Sequence, residues 1–533
     1  MATKKSDKRA KAVSEKAAHT DASALGHKTA GVATSILFSK LVSVIVAGLS
    51  FVLVSRLLGP TTYGVYVLAT SFAGVFISVG AFGINTALPK FIAEYRSKGQ
   101  KKRVEDVVAS GYISIISIGI VMTLIAVAFG PQIAQLVFKS SSFSLIAVVA
   151  ALSITFSLLY DASYGMLVGF GKQGFLVTLT LVQIVTQSVV SIVLVLMGFG
   201  AFGPVIGLLT GLIIGSVFAM LSIYSQEKLK FSFHIGSEMK TLIMFSIPIG
   251  VYGAISGFVS NVSNLILGYY ANPTIVGNVG VAIKFSGVIA LAVDSVGIAL
   301  LPLFASLTHK RHKAYTNKLY NYSVCLMLSI LVPIVLVISV VAPNVTVILW
   351  PTYTSLPYLI PIVSIGIIFF LLANYTSTLL ISNNKVKEVM IYSVISSAIQ
   401  LLLLFALVPS FKGIGLVAIV ALFSPMLSFA FYIRLASKLL KIKLEYGKLL
   451  RISAASLVCA AVIFPMTLIF SHSSVATLAS ATILLLLIYP PLVVFFKGVT
   501  SNDLTVIKGM SNTLPVVGPV LSILANYALR WER

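Results

Sequence analysis

Four charged side chains lie inside apolar runs long enough to cross a bilayer: Lys40, Asp161, Lys284 and Asp294. A charge at the centre of a spanning helix costs at least ~2.5–3.5 kcal/mol, so each needs protein or water around it. An ammonium held there can neutralise an anionic cargo. A carboxyl held there can exchange H⁺ or Na⁺. At ~1.5 Å per residue, Lys40, Asp161 and Asp294 fall ~12–14 Å from the inner membrane face. Lys284 lies in the outer half of its helix, and Arg56 caps the outer end of the first helix. Lys284 and Asp294 share a helix but stand ~15 Å apart along it, so they do not pair. Each residue also has a plainer reading. Lys40 and Lys284 could snorkel to headgroups, Arg56 could anchor at the interface, and each Asp could sit in a structural ion pair.

The elements that must position these charges follow from composition. Apolar residues make up 58% of the 533-residue chain and charged residues 10%, with a mean hydropathy of +1.04. Runs of about 20 apolar residues recur along the chain, each matching a hydrocarbon core of ~30 Å. They are continuous rather than alternating, which argues for helices and against a barrel. About fourteen spanning helices are predicted, in an all-α polytopic membrane protein. The net charge of +24 does not indicate nucleic acid, because the basic residues sit in short clusters between apolar runs. Cys325 and Cys459 lie in apolar runs and read as packing residues. The sequence shows no metal-ligand cluster, P-loop or nucleophile elbow, so no catalytic residue, resident metal or cofactor is expected and the chain does not read as an enzyme. Coupling to Na⁺ or H⁺ through Asp161 or Asp294 is left open.

Fourteen spans starting from an inner N-terminus give a consistent charge alternation. Apart from Lys40, Lys284, Arg56, Lys139 and Lys412, every one of the 38 Lys and Arg residues falls in an inner segment or tail. Both termini are therefore expected in the cytoplasm of a multi-pass plasma-membrane protein. An internal repeat fixes the organisation further. An offset of 213 positions sets Pro60-Thr61-Thr62-Tyr63-Gly64 on Pro273-Thr274-Ile275-Val276-Gly277, and Phe72, Gly74 and Pro89 on Phe285, Gly287 and Pro302. The same offset pairs Asp161 with Asn374. Two six-helix lobes of equal length are expected, related by an axis along the membrane normal, with a substrate path at their interface.

The boundaries read as a disordered basic tail over 1–29, an N-lobe over 30–224 and a C-lobe over 225–437. Two further helices follow over 438–496, then a cytoplasmic or interfacial tail over 497–533. The scaffold repeats but the charges do not: Lys40, Lys284 and Asp294 match Gly253, Ser71 and Ala81. That one-sidedness fits a specialised cavity. Helix 7 carries Pro248, Gly250 and Gly253 as a candidate hinge, and Asn261 and Asn264 as candidate cavity groups.

Ser55-Arg56-Leu57-Leu58-Gly59-Pro60-Thr61-Thr62-Tyr63-Gly64 resembles the end of the first helix in the polysaccharide and oligosaccharide flippases of the multidrug/oligosaccharidyl-lipid/polysaccharide (MOP) exporter superfamily. Gly83-Ile84-Asn85-Thr86-Ala87-Leu88, the glycine-rich stretch from Gly165 to Gly174 and the turn from Gly200 to Gly207 continue the resemblance in order. It covers roughly residues 31–440. It implies a V-shaped pair of six-helix bundles around a central cavity. It also implies movement of a polyprenyl- or dolichyl-phosphate or -pyrophosphate oligosaccharide from the inner to the outer leaflet by alternating access, for cell-surface polysaccharide or glycoprotein synthesis.

Partners would be that lipid-linked oligosaccharide, membrane lipids, and glycosyltransferases or a polymerase of the same pathway. Lys40 and Lys284, with Arg56, Asn261 and Asn264, are the substrate-binding candidates. Asp161, Asp294 and Asn374 are the coupling candidates. The alternative within the superfamily is a Na⁺- or H⁺-coupled multidrug exporter. A membrane-embedded glycosyltransferase is disfavoured, because the outer loops hold no Asp or Glu in this topology.

Overall fold

The computed structural model describes the backbone of residues 3–81, 83–133, 144–229, 237–308, 313–383, 385–407, 419–470 and 473–499, with isolated positions beyond them. The side chains of residues 3–41, 291–308 and 313–315, and of several residues between 237 and 252, lie outside the described set. Among the described residues every regular element is helical. The helices are α1 (Thr3–Gly80), α2 (Ile84–Ser97), α3 (Lys101–Ile133), α4 (Ser144–Gly169), α5 (Gln173–Leu196), α6 (Phe202–Glu227) and α7 (Ser237–Tyr270). They continue as α8 (Pro273–Thr308), α9 (Lys313–Leu349), α10 (Leu356–Ser382) and α11 (Val386–Leu407). A π-helical turn (Ile419–Phe423) leads into α12 (Ser424–Leu440), and α13 (Tyr446–Ile469) and α14 (Ser474–Phe495) follow.

The first element holds two spans. Gly59 sits at φ 70° and ψ 172°, a region open essentially to glycine alone. Pro60 then restarts a helix at a position where no N–H is needed. Phe51 and Tyr63 would be ~18 Å apart on an unbroken helix, yet their ring centroids are 6.3 Å apart. The chain therefore folds back at Gly59, and residues 60–80 form the second span. A second break at Gly83 (φ 72°) caps α2.

Eleven described helices are long and apolar enough to cross a membrane. One of them, Val42–Gly80, contains the Gly59 break and so counts as two. α7 is 34 residues long, and the π turn with α12 completes the last span of the C-lobe. The fourteen-span architecture follows. The N-terminal stretch read from composition as disordered is helical from Thr3 onward and continuous with the first span; its Ala- and Lys-rich sequence has strong helix propensity. Residues 500–522 and 528–533, most of the C-terminal tail, lie outside the described residues.

Packing gives each lobe a stiff body. In the N-lobe, Gly165 and Gly169 of α4 leave room for the backbone at Asn85 and Pro89 of α2, so two segments of the sequence resemblance meet. Gly203, Gly207 and Gly211 of α6 let it close on Val195, Ser191, Gln187 and Gln183 of α5, the small-residue packing typical of membrane helices. At the inner end Arg96 donates to the Phe170 carbonyl, and Glu227 takes ion pairs from Arg96 (3.5 Å) and Lys172 (3.2 Å). That clamp joins α2, the α4–α5 turn and α6.

In the C-lobe, Tyr320 and Thr376 share a 2.7 Å hydrogen bond between α9 and α10. Tyr112 and Ser163 make the corresponding α3–α4 link at 3.2 Å, and Ser163 and Thr376 are repeat mates. The last two helices dock on α9. Asn321 donates to the Lys443 carbonyl at 2.7 Å and accepts from the Glu445 N–H at 2.9 Å.

Candidate functional site

The two lobes meet where the repeat is best preserved. Gly64 lies against the Pro273 backbone, and Gly277 against the Pro60 backbone. A Cβ on either glycine would collide with main chain, so only glycine permits this crossing of α1 and α8. Thr61 and Thr274, which are repeat mates, face each other with hydroxyl oxygens 2.8 Å apart. The matching Pro-Thr-x-x-Gly segments thus lie on the pseudo-two-fold axis, at the end that the Lys/Arg alternation assigns to the outside.

A cap seals the same end. Trp350 and Tyr353, both fully buried in the α9–α10 turn, reach across to the first helix. The Trp350 indole N–H donates to the Ser55 hydroxyl and the Tyr353 hydroxyl donates to the Ser55 carbonyl, each at 2.7 Å. Arg56 donates to the Ile348 carbonyl at 3.0 Å. One core cluster accordingly runs through the N-lobe and across the outer ends of α8, α9 and α10, including Val281, Trp350 and Leu359. A separate cluster around Tyr320, Leu372 and Ile452 fills the inner half of the C-lobe.

Lys284 lies just beneath this seal, ~16 Å along α8 from Pro273 and so near mid-membrane. Its ammonium stands 5.8 Å from the Phe51 ring centroid and 5.5 Å from that of Tyr66. Tyr63 is its other close neighbour. The side chain is solvent-accessible and lies where α1 and α8 meet. Cation–π contacts at accessible sites contribute ~0.5–1 kcal/mol, which helps hold the ammonium against these rings. No carboxylate among the described residues pairs with Lys284. The Tyr63 hydroxyl is buried beside the ammonium, and among the described residues it has no partner in hydrogen-bond geometry.

The repeat shows why this place is unusual. Ser71 is the mate of Lys284, and Asn264 is the mate of Phe51. On one seam Asn264 donates to Ser71 at 3.0 Å; on the other, Phe51 faces Lys284. Further along the first seam Asn261 fills the notch left by Gly74, Ser78 fills that left by Gly257, and Gly83 packs on Ser246 and Gly250. The second span, its break and α7 are therefore closed together turn after turn. On the other seam the mates of Gly74 and Asn261 are Gly287 and Gly48, and neither has a described atom within 4 Å of where a Cβ would stand. One turn inward from Lys284, α1 and α8 leave open space.

The candidates from the sequence separate accordingly. Lys284 stands at the interface. Arg56 belongs to the outer cap, and Asn261 and Asn264 to the closed seam, where Asn261 also donates to the Gly257 carbonyl at 2.8 Å. Gly250 and Gly253 lie in a continuous α7, and the backbone breaks fall instead at Gly59 and Gly83. Asp161 on α4 lies beside Tyr160, and no cation among the described residues pairs with it. Asn374 is exposed on α10. The side chains of Lys40, Pro248 and Asp294 lie outside the described residues. Sequence reasoning missed Tyr63, Tyr66, Phe51, Trp350 and Tyr353. The paired Pro-Thr-x-x-Gly segments were the signal that could have located the first two.

Comparisons with known proteins agree with this architecture. The profile of the polysaccharide biosynthesis protein family matches residues 32–308. No curated protein matches the chain. Among solved structures, the lipid II flippase MurJ in an inward closed conformation superposes with a TM-score of 0.72 at 16% identity, covering 88% of this chain and 99% of its own. An inward-facing multidrug resistance MATE transporter of the MOP superfamily gives 0.64 at 14% identity, covering 75% and 95%. A MOP superfamily transporter from Pyrococcus furiosus, described as having a binding pocket of reverse polarity, gives 0.56 at 14%, covering 78% and 95%. These identities establish a shared fold.

Proposed function

This chain belongs to the polysaccharide biosynthesis protein family, and from that premise we propose that it is a flippase for a lipid-linked oligosaccharide. The cargo would carry a polyprenyl or dolichyl phosphate or pyrophosphate and move from the inner to the outer leaflet by alternating access. The observation that carries this reading is Lys284, an accessible ammonium near mid-membrane, ringed by aromatics and sealed on its outer side. A phosphate crossing a ~30 Å hydrocarbon core needs such a cation, while the isoprenoid tail can stay in lipid beside the open α1–α8 seam. Inward direction of the open end rests on the Lys/Arg alternation. Lys40, deeper along α1, is proposed as the first contact on the inner side.

The drug-exporter alternative would bring a cationic cargo to the same space, where Lys284 would repel it. Purified protein in lipid nanodiscs should be stabilised against heat by a polyprenyl phosphate sugar and not by tetraphenylphosphonium. Stabilisation by the organic cation alone would reverse the assignment. Coupling by Na⁺ or H⁺ is proposed for Asp161, a carboxyl within a spanning helix that no described cation neutralises. Translocation measured with and without each ion gradient tests it.

A further inference from the structure

The donors around Lys284 are nearly all engaged elsewhere. The Trp350 indole and the Tyr353 hydroxyl serve Ser55. Asn264 donates to Ser71, and Ser286 bonds Ser364 at 2.9 Å. Arg56 serves the Ile348 carbonyl. The Lys40 backbone lies ~16 Å along α1 from Phe51, and its side chain lies outside the described residues. Among the described residues this leaves one ammonium, with the phenols of Tyr63, which is 1% exposed, and Tyr66 beside it. The remaining wall is ring faces.

Resting on the flippase reading above, we infer that this site is matched to a single negative charge: the phosphodiester of a polyprenyl or dolichyl monophosphate sugar, in preference to a pyrophosphate. A phosphodiester brings one charge, which Lys284 neutralises. Tyr63, buried beside that ammonium, positions it. A pyrophosphate diester brings a second charge one P–O–P bridge away, against Phe51 and Tyr66, where no cation among the described residues answers it. In a low-dielectric site an unanswered charge is strongly disfavoured.

The test uses the full chain in lipid nanodiscs, in EDTA, with two probes of the same polyprenyl length and the same hexose. One is joined through a monophosphate and the other through a pyrophosphate. The wild-type protein should bind the monophosphate at least about tenfold more tightly, a difference of ~1.4 kcal/mol. Lys284→Gln should remove that preference and Lys284→Arg should keep it. Tyr63→Phe should weaken monophosphate binding while the protein stays folded, because it deletes the hydroxyl that positions the ammonium; a purely structural Tyr63 would leave binding unmoved. Equal or tighter pyrophosphate binding that still requires Lys284 would overturn the charge matching and leave the flippase site standing. Binding of both probes with no dependence on Lys284 would overturn the site, and this inference with it.

Discussion

Lys284→Ala should slow translocation of a lipid-linked sugar by about a hundred- to several-thousandfold, because leaving the cargo's charge without its partner in the membrane costs ~3–5 kcal/mol. The loss should fall on transport rather than on folding. Lys284 has no carboxylate partner among the described residues, and its neighbours are the rings of Phe51 and Tyr66. Removing it breaks no ion pair with a described residue. The amount of folded protein extracted from membranes and its thermal midpoint should match wild type. Lys284→Arg should retain part of the rate, since it keeps the charge but spreads it over a planar fork. Asn264→Ala separates a local effect from a general one. It deletes the repeat-related contact to Ser71 on the closed seam, so stability should fall by ~1 kcal/mol with little change in cargo recognition. Normal translocation by Lys284→Ala would restore the snorkelling account of this lysine.

The paired variant Thr61→Cys, Thr274→Cys should lose translocation to background when oxidised and recover it on reduction. The two hydroxyl oxygens are 2.8 Å apart, so the sulfurs that replace them can reach the ~2.05 Å of a disulfide with a small side-chain adjustment. Gly64 and Gly277 hold the backbones together beneath this pair, and alternating access requires them to part. Each single cysteine variant should transport normally in either redox state. Native Cys325 and Cys459 are buried, which keeps them out of the reaction. Full transport by the verified cross-linked protein would mean that this end never opens and that cargo leaves by another route.

The helical class and the span count were legible because runs of apolar residues state them directly. The repeat also placed Pro60 on Pro273 and Thr61 on Thr274, the residues that touch across the axis. What sequence could not supply was which face of each helix meets the other lobe. Asn261 and Asn264 look like cavity residues by type, but Gly74 and Ser71 present a notch and a hydroxyl that receive them. Arg56 looks like an interfacial anchor, yet Ile348 of the C-lobe accepts its hydrogen bond across 292 positions of sequence. Proline and glycine in helix 7 suggested a hinge; in this state α7 runs unbroken, and the chain instead breaks at Gly59 and Gly83, both at positive φ. Aromatics such as Phe51 and Tyr66 carry no local signal of binding. Their role emerges only once the fold brings an ammonium to their faces.

Translocation itself bears most directly on the central claim. The protein would be reconstituted into vesicles and its orientation scored by protease cleavage of the basic N-terminal tail. A polyprenyl phosphate sugar would be placed on the leaflet facing that tail, and its arrival on the opposite leaflet followed with an impermeant sugar-oxidising reagent. We expect wild-type protein to move it many times faster than protein-free vesicles and Lys284→Ala to move it no faster than they do. Protein-free rates with wild-type protein, in vesicles that do export tetraphenylphosphonium, would contradict the flippase account.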